Sequence, residues 1–362
     1  MKVGIVGLPQ SGKTTLFRAL TRGAVSTDSF GSNSGKANIG VVNVPDERVD
    51  FFVKEYSPKK ITYASIEFVD GAAKVNVDSG KSKFGSDFFA DVRQVDMLVN
   101  VLRGFESDIG DSPTPVKDIQ QLMDELLLAD LQMIEKRLEK IEKQMHGVKK
   151  GVTNMVTMEN DLLHRLKAVL EEGKFLKIDM LSADEEKFIR NYDFLTLKPI
   201  IHVLNVAESD IGSDSEVVSQ YRAYCEANSL NPVVLCAELE QEVSQLSDED
   251  EAEFLKSSGI EEPARNVLIK ECYEKLGLIS FITAGEPEVR AWTLNKGMKA
   301  VDAAGTIHSD LARGFIRMEV ANFDKVKEAG GWELAKKAGI VELQMKDYIV
   351  QDGDVVYIRF KV

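Results

Sequence analysis

Short, almost continuously apolar runs recur along the first 236 residues, with helical segments between them. They lie at 3–7, 39–44, 64–70, 97–102, 199–205 and 232–236. Strands that are apolar at nearly every position are typical of a parallel sheet covered by helices on both faces. The pattern therefore predicts an α/β fold built on a doubly wound, mainly parallel sheet.

Between the fourth and fifth runs the pattern changes to long helices. Apolar residues follow spacings of four and three in two stretches separated by HGVKKG, namely Ile134, Leu138, Ile141, Met145, Val148 and Met155, Leu162, Leu166, Val169. Two antiparallel helices that meet along one stripe explain this pattern. We expect an inserted helical hairpin at 116–189, within a sheet domain made of 1–115 and 190–277. Its Glu/Lys-rich faces fit either a solvated arm or a docking arm.

From about residue 278 the chain returns to short alternating strands. The segments ISFITAG, VRAWTLNKG, GFIRMEV and VVYIRFKV are separated by turn-forming sequences such as QDGD. This spacing predicts a small mixed β domain at 278–362.

Composition and charge narrow the class of protein. Hydrophobic residues make up 44% and charged residues 29% of the 362 residues, as in an ordinary globular protein. No apolar run reaches the roughly 20 residues that cross a bilayer, and the N-terminus is unlike a signal peptide, so we expect a cytoplasmic protein without membrane contact. The net charge of −14 argues against nonspecific coating of nucleic acid. Residues 279–362 are neutral, with 12 basic and 12 acidic residues, and repel an anionic partner least.

Neither the cysteines nor the histidines form a metal-binding pattern. Cys225, Cys236 and Cys272 include no CxxC pair and are expected to be buried thiols. The four histidines are scattered without ligand spacing, so structural roles are expected.

A phosphate-binding motif follows the first apolar run. The sequence GLPQSGKT at 7–14 fits the P-loop pattern, and the helical run TLFRALT follows it. The glycines allow successive backbone N–H groups to face phosphate oxygens, and the helix N-terminus adds positive potential. We expect Lys13 to neutralise the β- and γ-phosphates and the Thr14 hydroxyl to ligate Mg²⁺.

Two further segments lie where P-loop proteins place their metal and base contacts. Asp70 ends the run SIEFVD, the place of the carboxylate that holds magnesium through water, although such a residue can also cap the next segment. After IIHVL, the residues Asn205-Val206-Ala207-Glu208 stand where GTPases carry NKxD. The missing lysine and the longer carboxylate disfavour guanine and leave adenine to be read by backbone groups and the Asn205 amide. An ordinary strand-end turn explains the same four residues.

Several long segments resemble the YchF/Obg-like ATPase family of P-loop proteins over essentially the whole chain. They are GLPQSGKTTLFRALT, NIGVVNVPDERVD, IEFVD, LLLADLQMIEKRLEK, KPIIHVLNVAE and the C-terminal segments from TAGEPEVRAWTLNKG to KDYIVQDGDVVYIRF. The resemblance implies a P-loop NTPase domain, a coiled-coil insertion and a β-grasp-like TGS domain. It also implies preference for ATP over GTP, bound with Mg²⁺, and association with the ribosome, through its large subunit.

The resemblance also assigns roles to individual residues. The family's phosphate loop falls on Gln10, Ser11, Gly12, Lys13, Thr14 and Thr15, its base contacts on Asn205, Val206 and Glu208, and its switch I metal-binding threonine on Ser34. On this basis Lys13 and Asp70 are the expected catalytic residues, and Thr14 and Ser34 the metal ligands.

This chain departs from the family in three places. The pattern TIxPN around Ser34 reads SGKAN, and the switch II pattern DIAGLVKGASKGEGLG reads DGAAKVNVDSGKSKFG, with several glycines missing. Many members carry a histidine at the position of Asn100, and asparagine cannot accept a proton at neutral pH. We therefore expect hydrolysis slower than the already slow turnover of the family.

Three functions remain open from the sequence. The favoured one is a slow ATPase switch, in which ATP and Mg²⁺ order the loops around Ser34 and 70–85 and change how the hairpin and TGS domain meet a ribosomal partner. The alternatives are a nucleotide-dependent adaptor that rarely hydrolyses, and a GTPase. The run RGFIR at 313–317 fits either ordinary strand chemistry or an RNA-facing surface, so RNA contact is expected through the hairpin and TGS domain.

Overall fold

The computed structural model describes residues 1–23, 38–70, 86–106, 111–147 and 153–361. The strands are β1 (Lys2–Val6), β2 (Asn38–Asn43), β3 (Ile61–Thr62), β4 (Ser65–Asp70), β5 (Met97–Arg103), β6 (Ile200–Asn205), β7 (Val233–Leu235), β8 (Leu278–Thr283), β9 (Val289–Asn295), β10 (Phe315–Asn322), β11 (Glu342–Gln344) and β12 (Asp354–Phe360). The helices are α1 (Lys13–Thr21), α2 (Glu47–Tyr56), α3 (Ser86–Arg93), α4 (Pro115–Gly147), α5 (Thr153–Glu171), α6 (Ala183–Ile189), α7 (Glu216–Ala227), α8 (Ala237–Val243), α9 (Asp248–Ser258), α10 (Ala264–Lys275), α11 (Ala300–Ile307), α12 (Ser309–Arg313), α13 (Phe323–Ala329) and α14 (Trp332–Lys337).

Local sequence explains where several helices begin and end. The Asp46 side chain caps α2 by accepting from the backbone N–H of Arg48. Ser182 and Glu185 form a reciprocal capping box at the start of α6. Four acidic residues fill the first turn of α9, where they complement the positive end of the helix dipole, and Gly259 ends that helix in a left-handed conformation.

The first sheet has the order β2-β4-β1-β5-β6-β7. The neighbouring strands β1, β5, β6 and β7 are parallel, with Val6 opposite Asn100 and Arg103 opposite Asn205. Strands β1, β5 and β6 are buried at nearly every position, because helices cover both faces. The predicted parallel α/β sheet is confirmed.

The helical insertion leaves this sheet after β5 and returns before β6. The first half of α4 packs on the sheet, where Leu122 and Leu126 join a core with Leu98 of β5. Its second half packs against α5 through Ile134 and Ile141, both fully buried. The predicted antiparallel hairpin is therefore present, and its apolar seam is buried next to the sheet domain.

The second sheet is mixed and has the order β11-β10-β12-β8-β9-β3. Strands β8 and β9 are antiparallel, β12 runs parallel to β8, and β10 is antiparallel to β12. Helix α11 buries Ala300, Ala303 and Ala304 against one face, together with Phe281 and Met318. Small residues let this helix approach the sheet closely, as expected for a β-grasp-like C-terminal domain.

Contacts divide the chain into two compact units, Met1–Gly40 with Phe68–Ala264, and Val41–Glu67 with Arg265–Val362. This division differs from the boundaries that the sequence predicts, which place all of 1–115 and 190–277 in the sheet domain. Two contacts explain the difference at 41–67: Ile61 of β3 pairs with Val289 of β9, and the ring of Phe52 lies 5.9 Å from that of Phe323. All three cysteines are buried and free, as predicted. No helix among the described residues is long and apolar enough to span a bilayer.

Candidate functional site

The P-loop connects β1 to α1 and has three residues at positive φ. Gly7 and Gly12 have φ of 143° and 92°, and Gln10, a non-glycine residue, has φ of 61°. A Cβ on Gly7 would lie 2.3 Å from the carbonyl oxygen of Val101, and one on Gly12 would lie 2.2 Å from Nδ2 of Asn205. Both positions therefore need glycine for conformation and for space, and the loop wraps tightly around the ends of β5 and β6.

The first turn of α1 offers free backbone donors to an anion. No side chain caps this N-terminus, and no acidic residue lies in its first turn. The uncapped N–H groups and the helix dipole favour a phosphate at this place.

Lys13, Thr14 and Asp70 form the polar part of the site. Lys13 Nζ donates to the carbonyl oxygen of Leu8 at 2.7 Å, and Thr14 Oγ1 donates to Asp70 Oδ2 at 3.1 Å. Burial lowers the pKa of Lys13, an effect that the charge of Asp70 opposes. Burial raises the pKa of Asp70, against the hydrogen bond from Thr14 and the charge of Lys13. The strand end, the loop and the helix thus bring together the cation, hydroxyl and carboxylate that the sequence predicts.

This oxygen pair is suited to a hard divalent cation. Mg²⁺ prefers oxygen ligands and keeps several waters, so one or two protein groups suffice when phosphates supply the rest. Within the described ranges, no group of three or more His, Cys, Asp or Glu side chains is arranged to hold a metal ion. The Thr14 hydroxyl and Asp70 carboxylate therefore fit a magnesium ion bound together with a nucleotide.

Asn205 ties the P-loop to β6 and α8. Its Nδ2 donates to the carbonyl oxygen of Ser11 at 2.9 Å, and its Oδ1 accepts from the backbone N–H of Ala237 at 2.9 Å. The side chain is 5% exposed. Sequence reasoning proposed that this amide reads a base, whereas its observed contacts hold the loop in position.

A cleft of about 740 Å³ lies beside the loop. It is lined by five of the expected loop- and base-contact residues, Gln10, Gly12, Thr15, Asn205 and Val206. Glu208 does not line this cleft; it is exposed and begins a 3₁₀ turn, Glu208–Asp210. The roles of these residues in nucleotide binding stay predictions.

The cleft has further lining residues that sequence reasoning missed. These are Phe105, Glu106, Ala207, Cys236, Glu238, Gln241 and Glu242. Phe105 and Glu106 follow β5, and Asn205 is the last residue of the neighbouring β6; the carboxyl ends of neighbouring parallel strands meet at one edge of the sheet. That rule was the available signal for Phe105 and Glu106, whereas nothing in the local sequence indicates Gln241.

The remaining predicted positions are Ser11, Ser34, Asn100 and the segment 71–85. Ser34 and the segment 71–85 lie outside the described residues. Ser11 is buried, and its Oγ has no hydrogen-bond partner in the described part of the chain. Asn100 is 2% exposed, and its Nδ2 lies 3.1 Å from Nδ1 of His202, within the interior of the sheet.

Comparisons with known proteins agree with this architecture. A family model described as "50S ribosome-binding GTPase" matches residues 2–156, and the YchF-GTPase C-terminal model, described as "Protein of unknown function (DUF933)", matches 278–361. "Ribosome-binding ATPase YchF" of Bacillus subtilis is 38% identical over all of this chain and all of its own length. "Obg-like ATPase 1" of Oryza sativa is 33% identical over all of this chain and 92% of its own. The solved Schizosaccharomyces pombe YchF GTPase has a TM-score of 0.83 at 27% identity, covering 99% of this chain and 97% of its own.

Proposed function

Because the chain belongs to the YchF family of P-loop proteins, we propose that it binds ATP with Mg²⁺, hydrolyses it slowly and associates with the ribosome according to its nucleotide state. The observation that carries the nucleotide part is the contact between Thr14 and Asp70 at the mouth of the P-loop, 3.1 Å long, with Lys13 beside it. The ribosomal part is supported by the printed name of the Bacillus subtilis relative.

In this proposal, each residue of the site has a separate role in binding the phosphates. The N–H groups of the loop and of α1 bind and orient the phosphate chain, and Lys13 neutralises its charge on leaving Leu8. Thr14 and, through water, Asp70 would hold a magnesium ion, which would stabilise negative charge on the phosphates. Asn205 keeps the loop in register with β6 and α8 through two hydrogen bonds.

Slow hydrolysis is supported by what surrounds the loop. The side chain of Asn100 is paired with His202 in the sheet interior and offers no general base to the phosphates. The adaptor that binds but rarely hydrolyses remains the second candidate for the same reason.

ATP rather than GTP is the expected nucleotide, because the segment 205–208 lacks the lysine and aspartate of a guanine-reading motif. A GTPase is the competing function, because the matching family model and the solved fission yeast structure are both described as GTPases. Calorimetric titration with ATP, GTP and their hydrolysis-resistant analogues separates them. GTP bound at least tenfold more tightly than ATP would reject the ATP assignment, and single-turnover hydrolysis with and without ribosomes separates the switch from the adaptor.

The site itself is tested by Lys13→Ala. Loss of the cation should weaken ATP binding by roughly 2–4 kcal/mol, since a charge-assisted contact to the phosphates disappears. Arg22→Ala removes a half-exposed cation from the other end of α1 and should leave the affinity unchanged. A folded Lys13→Ala protein with wild-type affinity would contradict the P-loop assignment.

A further inference from the structure

A groove with a volume of about 660 Å³ lies between the two helices of the hairpin, α4 and α5. It belongs to the part of α4 that has left the sheet and packs against α5. We call it the hairpin groove; the lining residues that matter here are Glu135, Leu138, Glu139, Glu142 and Met145 of α4 and Lys167 of α5.

The floor of the groove is apolar. Leu138 is partly buried and packs against the hairpin core that contains Ile134 and Ile141. Met145 lies seven residues further along α4, about 10 Å away along the helix axis, and is 48% exposed. An exposed methionine is a flexible apolar side chain that adapts to the shape of a partner. The floor therefore offers apolar contacts at two points, two helical turns apart.

The α4 wall of the groove is acidic and only partly neutralised. Glu135 pairs with Lys167 at 3.0 Å, and the same ammonium group lies 3.5 Å from Glu171. Glu139 and Glu142 are exposed, and neither forms an ion pair with another residue that the structure describes. The groove therefore presents two carboxylates whose charge is available to a cationic ligand.

The charges of α4 are separated by face instead of alternating in sign. Its carboxylates and its ammonium groups each follow spacings of four and three, at Glu135, Glu139, Glu142 and at Lys136, Lys140, Lys143. A shift of one residue turns about 100° around a helix, so the lysines lie on a neighbouring face, outside the groove lining. Like charges four residues apart repel each other. The acidic face is therefore unfavourable in the isolated chain, and a cationic ligand relieves the repulsion.

We propose that the hairpin groove binds a lysine- and arginine-rich amphipathic helix of a partner protein, which packs on α4 and α5 as a third helix. Apolar side chains of the ligand contact Leu138 and Met145, and its cations meet Glu139 and Glu142. This inference goes beyond the proposed function, because the contact needs neither a nucleotide nor the ribosome.

The geometry and charge of the groove favour this ligand over other classes. A helix repeats its side chains at the same rise as α4, so its apolar and basic positions match the floor and the acidic wall along several turns. Nucleic acid would bring phosphates against carboxylates of the same sign. Within the described ranges, no group of three or more His, Cys, Asp or Glu side chains is arranged to hold a metal ion.

The test is the fluorescence anisotropy of a labelled basic peptide titrated with the full chain. The probe is an amphipathic peptide of about 18 residues, with leucine at the a and d positions of each heptad and lysine elsewhere. The double variant Glu139→Gln/Glu142→Gln should weaken binding about fivefold and reduce its dependence on salt, because two ionic contacts are lost. Met145→Gln should weaken binding about threefold or more, whereas Met145→Leu should bind almost like wild type.

Glu249→Gln/Glu253→Gln is the matched control for a protein with a net charge of −14. It removes the same charge from exposed positions of another helix, α9, and should change the affinity less than about twofold. A peptide of the same composition with its leucines scattered over all faces should bind more weakly than the amphipathic probe. Circular dichroism and calorimetric titration with ATP should give wild-type results for every variant, since none of these residues lies in the core or at the phosphates.

Absence of binding of the amphipathic probe would overturn the proposal. So would an equal loss of affinity in the two double variants, or equal affinity for the scattered peptide, since either result would indicate attraction to the overall negative charge alone. Sedimentation velocity of the same variants tests the other occupant: a dimer that Glu139→Gln/Glu142→Gln dissociates would assign the groove to a second copy of this chain instead of a basic partner.

Discussion

Asn205 and Gly12 depend on each other at the centre of the candidate site. The Asn205 amide fills the space that a side chain at position 12 would need, and both of its polar atoms are engaged with the backbone. The base-contact segment and the phosphate loop are therefore joined by one residue before any nucleotide binds.

Gly12→Ala should disrupt the packing of Asn205 against the phosphate loop. A methyl group 2.2 Å from Nδ2 must displace Asn205, and φ of 92° is strained for alanine, so we expect a loss of about 2–4 kcal/mol in the free energy of unfolding. ATP affinity should fall about tenfold or more, which corresponds to roughly 1.4 kcal/mol. Urea denaturation and calorimetric titration measure the two effects.

Gly23→Ala controls for backbone strain alone. Gly23 also has positive φ, 69°, but no atom lies within 4 Å of the added Cβ. It should cost about 1 kcal/mol and leave ATP binding unchanged. Equal effects of the two substitutions would show that the contact with Asn205 is unimportant.

Asp70 should reduce the stability of the nucleotide-free protein at neutral pH. Burial raises the pKa of its carboxyl above the ordinary value of 3.8. A group with a raised pKa in the folded state stabilises the fold below its unfolded pKa, and this contribution is lost as the pH rises through the folded pKa. Asp70→Asn should therefore be more stable than wild type at pH 7, and the difference should shrink as the pH falls toward 3.8.

Urea midpoints at several pH values measure this effect. Asp248→Asn, at a side chain 90% exposed, is the control and should follow wild type. The Asp70→Asn protein should also lose the Mg²⁺-dependent part of its ATP affinity. A variant less stable than wild type at pH 7 would show that burial does not dominate the environment of Asp70.

Sequence reasoning could predict that the P-loop residues and Asp70 lie together, but not the contacts that Asn205 makes. The P-loop motif fixes the order of Gly7, Gly12, Lys13 and Thr14, and the end of a buried strand identifies Asp70. The hydrogen bonds of Asn205 join β6 to a loop 194 residues earlier, a tertiary contact without a local pattern. The same limitation applies to Gln241 on α8.

At the scale of elements, the hairpin differs between its base and its far end. The predicted seam is buried at Ile134, Ile141 and Leu166, yet Met145 and Met155 are 48% and 69% exposed. The period of four and three could predict the two helices and their stripe. It could not show where the stripe stops being covered, because burial near the base also depends on residues such as Phe194 that follow α5.

Asp130 fixes α4 where the hairpin leaves the sheet domain. Its side chain is fully buried; Oδ2 accepts from the backbone N–H and hydroxyl of Thr196 at 2.8 and 2.9 Å, and Oδ1 accepts from Arg93 at 3.1 Å. Asp130→Ala leaves these donors unpaired and should lower the free energy of unfolding by about 3–5 kcal/mol. Denaturant unfolding followed by circular dichroism measures the loss.

Glu135→Ala is the control on the same helix. Glu135 is 45% exposed and pairs with Lys167 at the surface, so its loss should change stability by less than about 1 kcal/mol. Similar costs for the two variants would mean that Asp130 contributes no more than an ordinary surface charge.

At the scale of the whole molecule, the sequence pattern located the six longer runs of the first sheet to within one or two residues. It also located β8, β9, β10 and β12 of the second sheet. Two short strands were missed: β3 has only two residues and shows no period, and β11 has a single apolar residue among its three. The sequence also does not predict that residues 41–67 belong to the second unit, because this depends on the pairing of β3 with β9 and on the packing around Phe52.

The hairpin of α4 and α5 is longer than the nucleotide site requires, and its far end is a candidate docking element. Replacing residues 142–156 by a short Gly/Ser turn removes its far end, while Arg137, Glu159 and Tyr192, which are linked by hydrogen bonds near the base, remain. Ionic contacts with RNA phosphates release counterions and weaken as salt rises. If the far end docks on an RNA-rich particle, the shortened protein should cosediment with ribosomes less than wild type, most clearly at moderate salt.

ATP affinity should be unchanged by this truncation, because every residue assigned to the phosphates lies outside 142–156. Calorimetry on the same preparation therefore distinguishes a lost docking element from a damaged protein. A shortened protein that binds ATP and still cosediments like wild type would mean that the far end of the hairpin is only a solvated arm.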